Sequence, residues 1–159
     1  MQRTPMTRPG FEKLSAELDR LKRVDRPTIV KAIGEARAHG DLSENAEYHA
    51  AREKQGFIEA RINELEAKIG NAEVIEPPTN GDRITFGSTV LLEDDSGKEV
   101  RYQIVGSDET DPAIGRISIM SPLARTLIGK RVGDHVTAQL PGGKKEFDVL
   151  EVNFPWPAR

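Results

Sequence analysis

Gly40-Asp41-Leu42-Ser43-Glu44-Asn45-Ala46-Glu47-Tyr48-His49 is an acidic break between two long stretches whose apolar residues recur at helical spacing. From Phe11 those residues fall at Leu14, Leu18 and Leu21, then at Ile29, Ile33 and Ala36, one stripe of a helix for each set. The step from Leu21 to Ile29 is eight residues instead of seven and contains Pro27, which predicts a break or kink near Asp25 and a restart with Pro27 in the first turn. The second arm carries Tyr48, Ala51, Ile58, Ile62, Leu65, Ile69 and Ala72 at the same spacing, with Gln55 weakening the seam. Two amphipathic segments joined by a short polar loop pair antiparallel, because each offers the other an apolar stripe. From Phe11 to Gly40 the arm has 30 residues, about 45 Å at the α-helical rise. Its turn is a poor place to build a core and a good place to present charge at a distance.

Composition changes at Glu76-Pro77-Pro78-Thr79-Asn80-Gly81, and beyond it the apolar period becomes two. Residues 88–93 and 99–105 flank Asp94-Asp95-Ser96-Gly97 and read as a hairpin, residues 116–120 as a further strand, and residues 135–140 and 146–152 as a second hairpin across Pro141-Gly142-Gly143. Ser121 reads as an N-cap with Pro122 at the first helical position of a short helix through Leu127. The expected architecture is α+β in two domains: an antiparallel α-helical coiled-coil hairpin over residues 1–76 with its acidic tip near 41–44, a linker at 77–81, and a small antiparallel-sheet domain over 82–159. Trp156, in the tail Phe154-Pro155-Trp156-Pro157, has no role that the sequence explains.

Charge and composition narrow the function. The 159 residues include 31% charged and 36% hydrophobic residues, as expected of a soluble globular protein. No apolar run approaches a bilayer span and the N-terminus lacks a signal-peptide pattern, so the expected location is the cytoplasm with no membrane partner. With no cysteine, disulfide and thiol chemistry are excluded, and His39, His49 and His135 have no zinc-site spacing. Residues 1–76 carry 13 Lys/Arg against 14 Asp/Glu and residues 77–159 carry 10 against 12, nets of −1 and −2 that make up the total of −3. Neither half is a basic glove for a phosphate backbone, so contact with nucleic acid has to be local or delivered by a partner.

Asp41 and Glu44 admit two readings. As N-cap and capping-box partner they would stabilise the start of the second arm and complement its positive end. As hard oxygen ligands at a projecting tip they would complete the coordination of a Mg²⁺ ion held mainly by a partner, since Mg²⁺ commonly takes only one or two carboxylates from one element. Ser43 has no evident base beside it and reads as a cap instead of a nucleophile.

The run Gly40 to Glu53, with Met6-Thr7, Gly10 and Lys13-Leu14 before it and Ser121-Pro122-Leu123-Ala124-Arg125, Leu127-Ile128-Gly129-Lys130, Val132-Gly133-Asp134 and Pro141-Gly142-Gly143 after it, resembles the Gre family of bacterial transcription elongation factors across the whole chain. Glu47-Tyr48-His49-Ala50-Ala51 is closer to its GreA branch than to its GreB branch. That resemblance implies a coiled coil followed by a domain of FKBP-like topology. It implies docking at the rim of the secondary channel of bacterial RNA polymerase, with the coiled coil reaching the active centre and the nascent RNA 3′ end. There Asp41 and Glu44 would be the catalytic acids, binding a second Mg²⁺ jointly with the polymerase, and the isolated chain would hold no cofactor. The reaction so implied is cleavage of backtracked RNA by the polymerase's own machinery, which would make the chain a stimulating factor and not an enzyme.

The resemblance also suggests RNA contacts for Arg37 and Arg52, whose plain reading is solvated helix charge, and a docking patch at Ser121 and Pro122, whose plain reading is a helix start. Leu42 and Tyr48 either pack against polymerase or an RNA base, or close the hairpin. Rival readings are a channel binder that does not cleave, which the retained acids oppose, and a prolyl isomerase, which the 5% aromatic content opposes.

Overall fold

The three-and-four spacing of the first half folds as two helical arms, and the alternation of the second half as a sheet. A computed structural model describes residues 3–40, 45–76 and 81–154, which group as two units: Phe11–Asn71, and Met1–Gly10 together with Ala72–Arg159. One arm is α1 (Arg8–Arg20), a π-helical turn (Leu21–Asp25) and α2 (Arg26–Arg37), and the other is α3 (Ala46–Gly70). Leu21, Ile29, Ile33, Ile58, Ile62 and Leu65 form the buried seam, with Leu14, Leu18, Ala32, Tyr48 and Ala51 packed at its margins. The arms run antiparallel, since partners move in opposite directions along the chain: Glu17 with Arg61, Arg26 with Glu59, Ala36 with Asn45. Arg61 grips Glu17 at 2.7 and 2.8 Å and Arg26 grips Glu59 at 2.8 Å twice, but these side chains are half-exposed. Such pairs contribute at most about 1 kcal/mol each, so burial of the seam dominates.

At the break or kink expected near Asp25 the chain takes an irregular turn, π-helical over Leu21–Asp25, without leaving the helix, and α2 restarts with Pro27 in its first turn as expected. Arg20, Asp25 and Arg26 keep right-handed helical dihedrals, and the Arg26 N–H donates to the Leu21 carbonyl five residues back. This wider turn absorbs one extra residue, which is the eight-residue step from Leu21 to Ile29, and both side chains stay on the seam. Pro27 follows it in the first turn of α2, where a missing N–H costs least.

The second unit takes in residues that periodicity had placed in the hairpin. β1 (Thr4–Met6) pairs parallel with β2 (Ala72–Val74). The Glu109 carboxylate accepts from the N–H groups of Thr7 at 2.8 Å and Gly106 at 2.9 Å and from the Thr7 hydroxyl, while Thr7 Oγ1 accepts from the Gly10 N–H at 3.1 Å. A Cβ on Gly106 would lie 1.9 Å from the Pro5 carbonyl oxygen, so this close approach requires glycine. Residues 3–10 and 72–76 therefore group with the sheet, not with the 1–76 hairpin domain expected from the sequence. A three-residue pairing across so long a separation leaves no trace in helical periodicity.

The main sheet has the order β5-β4-β3-β7-β6, built from β3 (Thr89–Asp94), β4 (Glu99–Val105), β5 (Arg116–Ser118), β6 (His135–Leu140) and β7 (Gly143–Asn153). Both expected hairpins form, but the sheet is mixed instead of antiparallel, because β5 runs parallel to β4. Two 3₁₀ turns, Ser107–Glu109 and Pro112–Ile114, carry the chain back beside Gln103 in the second half of β4 and make that crossover possible. The helix α4 (Pro122–Leu127) starts as predicted, with Ser121 Oγ accepting from the Ala124 N–H at 3.2 Å. Its Leu123, Ala124 and Leu127 complete a core with Ile84, Val90, Leu92, Ile104, Val136, Ala138, Phe147 and Val149.

On the exposed face of the last hairpin, His135 Nε2 lies 2.7 Å from Glu146 and Nδ1 lies 2.8 Å from Asp148. Only the imidazolium can donate to both, so Glu146 first and Asp148 second hold its pKa above the ordinary value. A raised folded-state pKa means that this contribution to stability is fully present below the unfolded value of about 6.5 and is lost as pH rises through the folded value. An NMR titration should place His135 above an ordinary histidine, with Glu146→Gln and Asp148→Asn each bringing it down. A native His135 titrating at or below the ordinary value would contradict the clamp.

Candidate functional site

The turn end of the hairpin is closed by one amide side chain. α2 ends at Arg37, the Ala38 and His39 N–H groups turn back onto the last helical carbonyls, and Gly40 takes φ +113°, a conformation open mainly to glycine. α3 begins at Ala46 with Asn45 as its N-cap: Asn45 Oδ1 accepts from the Tyr48 N–H at 3.0 Å, and Asn45 Nδ2 donates to the Ala36 carbonyl at 2.6 Å. Asn45 thus satisfies an orphan N–H of α3 and adds a second bond to the Ala36 carbonyl, which also accepts from the His39 N–H, tying the two helix ends together.

Asp41 and Glu44, with Leu42 and Ser43, lie outside the described residues. The capping role that the alternative reading gave Asp41 is filled by Asn45, four residues further on. Asn45→Ala should destabilise the hairpin by about 0.5–2 kcal/mol, the usual cost of a lost N-cap. Asn45→Asp should recover only part of this, because Asp keeps the acceptor for Tyr48 and has no donor for Ala36. Thermal melting followed by helical circular dichroism reads both changes, and native-like melting of Asn45→Ala would remove the clasp.

Just below the turn the structure brings Arg37 and Arg52 to one side chain. The Arg37 guanidinium carbon lies 5.9 Å from the centre of the Tyr48 ring, and Arg52 donates to the Tyr48 hydroxyl at 3.3 Å. A hydrogen bond from Arg37, helped by the charge and hydrogen bond of Arg52, holds the Tyr48 phenol below its ordinary pKa despite partial burial. The His49 ring meets Tyr48 edge-on at 5.6 Å. Among the described residues, neither guanidinium has a carboxylate within ion-pair distance. The arrangement offers two cations, one from each arm, gathered on one tyrosine next to the segment that carries the two acids.

Ser121 and Pro122 are where the sequence placed them, half-buried and exposed at the start of α4, in the sheet unit. The contributions of Asn45 and Tyr48 are the ones that sequence reasoning missed. The Tyr48/Arg52 spacing of four was a usable signal for the second, but its contact with Arg37 depends on the register of the arms. Among the described residues, no helix is long and apolar enough to cross a membrane.

Known proteins share this organisation. Residues 4–74 match the family model described as the N-terminal part of transcription elongation factors, and residues 78–154 match the model described as the C-terminal part of GreA/GreB transcription elongation factors. The transcription elongation factor GreA of Alkalilimnicola ehrlichii is 56% identical over 157 residues, covering 97% of this chain and 99% of that protein. The GreA proteins of Acidiphilium cryptum and Haemophilus influenzae are 57% and 56% identical over 156 and 158 residues, with the same coverage. These matches extend over both units and place the chain among transcription elongation factors. It belongs to the GreA/GreB family.

Proposed function

We propose that this chain is a cytoplasmic transcript-cleavage factor that binds bacterial RNA polymerase at the rim of its secondary channel and stimulates the polymerase's own hydrolysis of backtracked nascent RNA. The observation that carries this reading is the position of Asp41 and Glu44 in the four-residue segment joining the arms of a long hairpin, with Arg37 and Arg52 gathered on Tyr48 just below that segment. Two carboxylates are the hard oxygen donors that Mg²⁺ prefers, and they suffice only if the polymerase supplies the remaining ligands. When bound, the ion would help generate a hydroxide nucleophile and stabilise charge on the reacting phosphate. The chain's part is to deliver Asp41 and Glu44 to that ion, while Arg37 and Arg52 engage the phosphates of the RNA 3′ segment. The sheet unit supplies the docking surface, with Ser121 and Pro122 within it.

A channel binder that blocks without cleaving needs no carboxylate pair at the turn, and Asp41 and Glu44 favour the cleaving role. The test is recovery of arrested elongation complexes: with this chain present, transcripts halted by backtracking should resume to full length on addition of nucleotides. Complexes that bind the chain yet stay arrested would refute the cleaving role.

A further inference from the structure

The cations at the turn are not independent side chains. Arg37 belongs to the last turn of α2 and Arg52 to the second turn of α3, and each reaches the same tyrosine: Arg37 over the ring face, Arg52 at the hydroxyl. Tyr48 is itself fixed at both ends. Its backbone N–H is held by the N-cap Asn45, and its ring packs at the margin of the apolar seam beside Ala51. Two arginines drawn to one ring repel each other, and among the described residues no carboxylate lies within ion-pair distance of either. A long guanidinium side chain held in its binding rotamer beforehand loses less freedom when it meets that anion.

We propose that Tyr48 is a positioning residue that mounts Arg37 and Arg52 as one preorganised cationic clamp for a phosphodiester segment. This rests on the proposed contact of the two arginines with RNA. Tyr48 need not touch the RNA; it acts through the two guanidinium groups. Its hydroxyl holds Arg52 and accepts from Arg37, whose guanidinium also lies over the ring face.

The experiment is a double-mutant cycle read by crosslinking of the full chain to the RNA 3′ end in a stalled elongation complex, with Tyr48→Phe, Arg52→Ala and the two combined. Tyr48→Phe keeps the ring and its packing and removes only the hydroxyl. Its crosslinking should fall about two- to tenfold, the factor associated with one hydrogen bond. The double variant should lose less than the product of the two single losses, because the hydroxyl acts through Arg52 and Arg37 and not on the RNA. Losses that multiply, or a Tyr48→Phe variant that crosslinks like the native chain while Arg52→Ala does not, would overturn the positioning role and leave the RNA contact standing.

A second measurement on the free protein tests the clamp without RNA. In a Tyr102→Phe background, which leaves Tyr48 as the sole tyrosine, ultraviolet titration should show the phenol moving up towards its ordinary pKa in Arg37→Ala and in Arg52→Ala. An unmoved titration would overturn the geometry itself. A moved titration together with native crosslinking in both arginine variants would overturn the clamp's role with RNA, and the RNA reading with it.

Discussion

Replacing Asp41 by Asn, or Glu44 by Gln, is expected to reduce stimulated RNA cleavage by at least about 10- to 100-fold, the range seen when even an outer-sphere partner of a metal site is lost. Each substitution nearly preserves shape and removes one anionic oxygen ligand. Polymerase binding should persist, because the proposed docking surface lies in the sheet unit. Stability should also persist to within about 0.5 kcal/mol, since the N-cap of α3 is Asn45. That combination separates the two readings of the acids: a helix cap would lose melting temperature and cleavage together, whereas a metal ligand loses cleavage alone. Undiminished cleavage in both variants would end the metal role.

The second large effect concerns the hairpin that carries the tip. Leu65 is fully buried in the seam it forms with Leu21, Ile29, Ile33, Ile58 and Ile62. Leu65→Ala should cost about 2–5 kcal/mol, through lost burial and the cavity left behind. A two-helix unit has little surplus to offset this, because isolated helices are marginal and its ion pairs are half-exposed. Helical circular dichroism should therefore melt at a markedly lower temperature. Phe57, 68% exposed on the same helix, is the control, and Phe57→Ala should shift stability by no more than about 0.5 kcal/mol. Equal melting of the two variants would mean that the seam does not hold the arms.

What could be read in the sequence was what repeats locally. The stripe from Leu14 to Ala36 and its counterpart from Tyr48 to Ile69 specified the hairpin, the two turns specified the strand pairs, and Ser121-Pro122 specified the start of α4. What stayed hidden depends on contacts between residues far apart. The β1–β2 pairing joins Thr4 to Ala72, and its anchor Glu109 lies far along the chain from Thr7. β5 runs parallel because of the path between the strands and not because of its own residues. The eight-residue step at Pro27 was noticed, but a helix can absorb an extra residue in a π turn as well as by breaking, and only the burial of both Leu21 and Ile29 decides between them.

The candidate site divides in the same way. Asp41, Ser43 and Asn45 are all good capping residues, and what favours Asn45 is a second bond across the turn to Ala36, which no local rule supplies. Arg37 and Arg52 could be placed near the tip by counting turns on two antiparallel arms. That one tyrosine holds both could not, because the face that Tyr48 presents depends on the register set by the seam below it.

The most direct test of the account uses a backtracked bacterial elongation complex whose RNA is labelled at its 5′ end, incubated with Mg²⁺ and no nucleotides. With the native chain at saturation, the labelled RNA should shorten much faster than with polymerase alone, and with Asp41→Asn it should shorten at nearly the rate of polymerase alone. RNA that stays full length at the unstimulated rate, in complexes shown to have bound the native chain, would contradict the account.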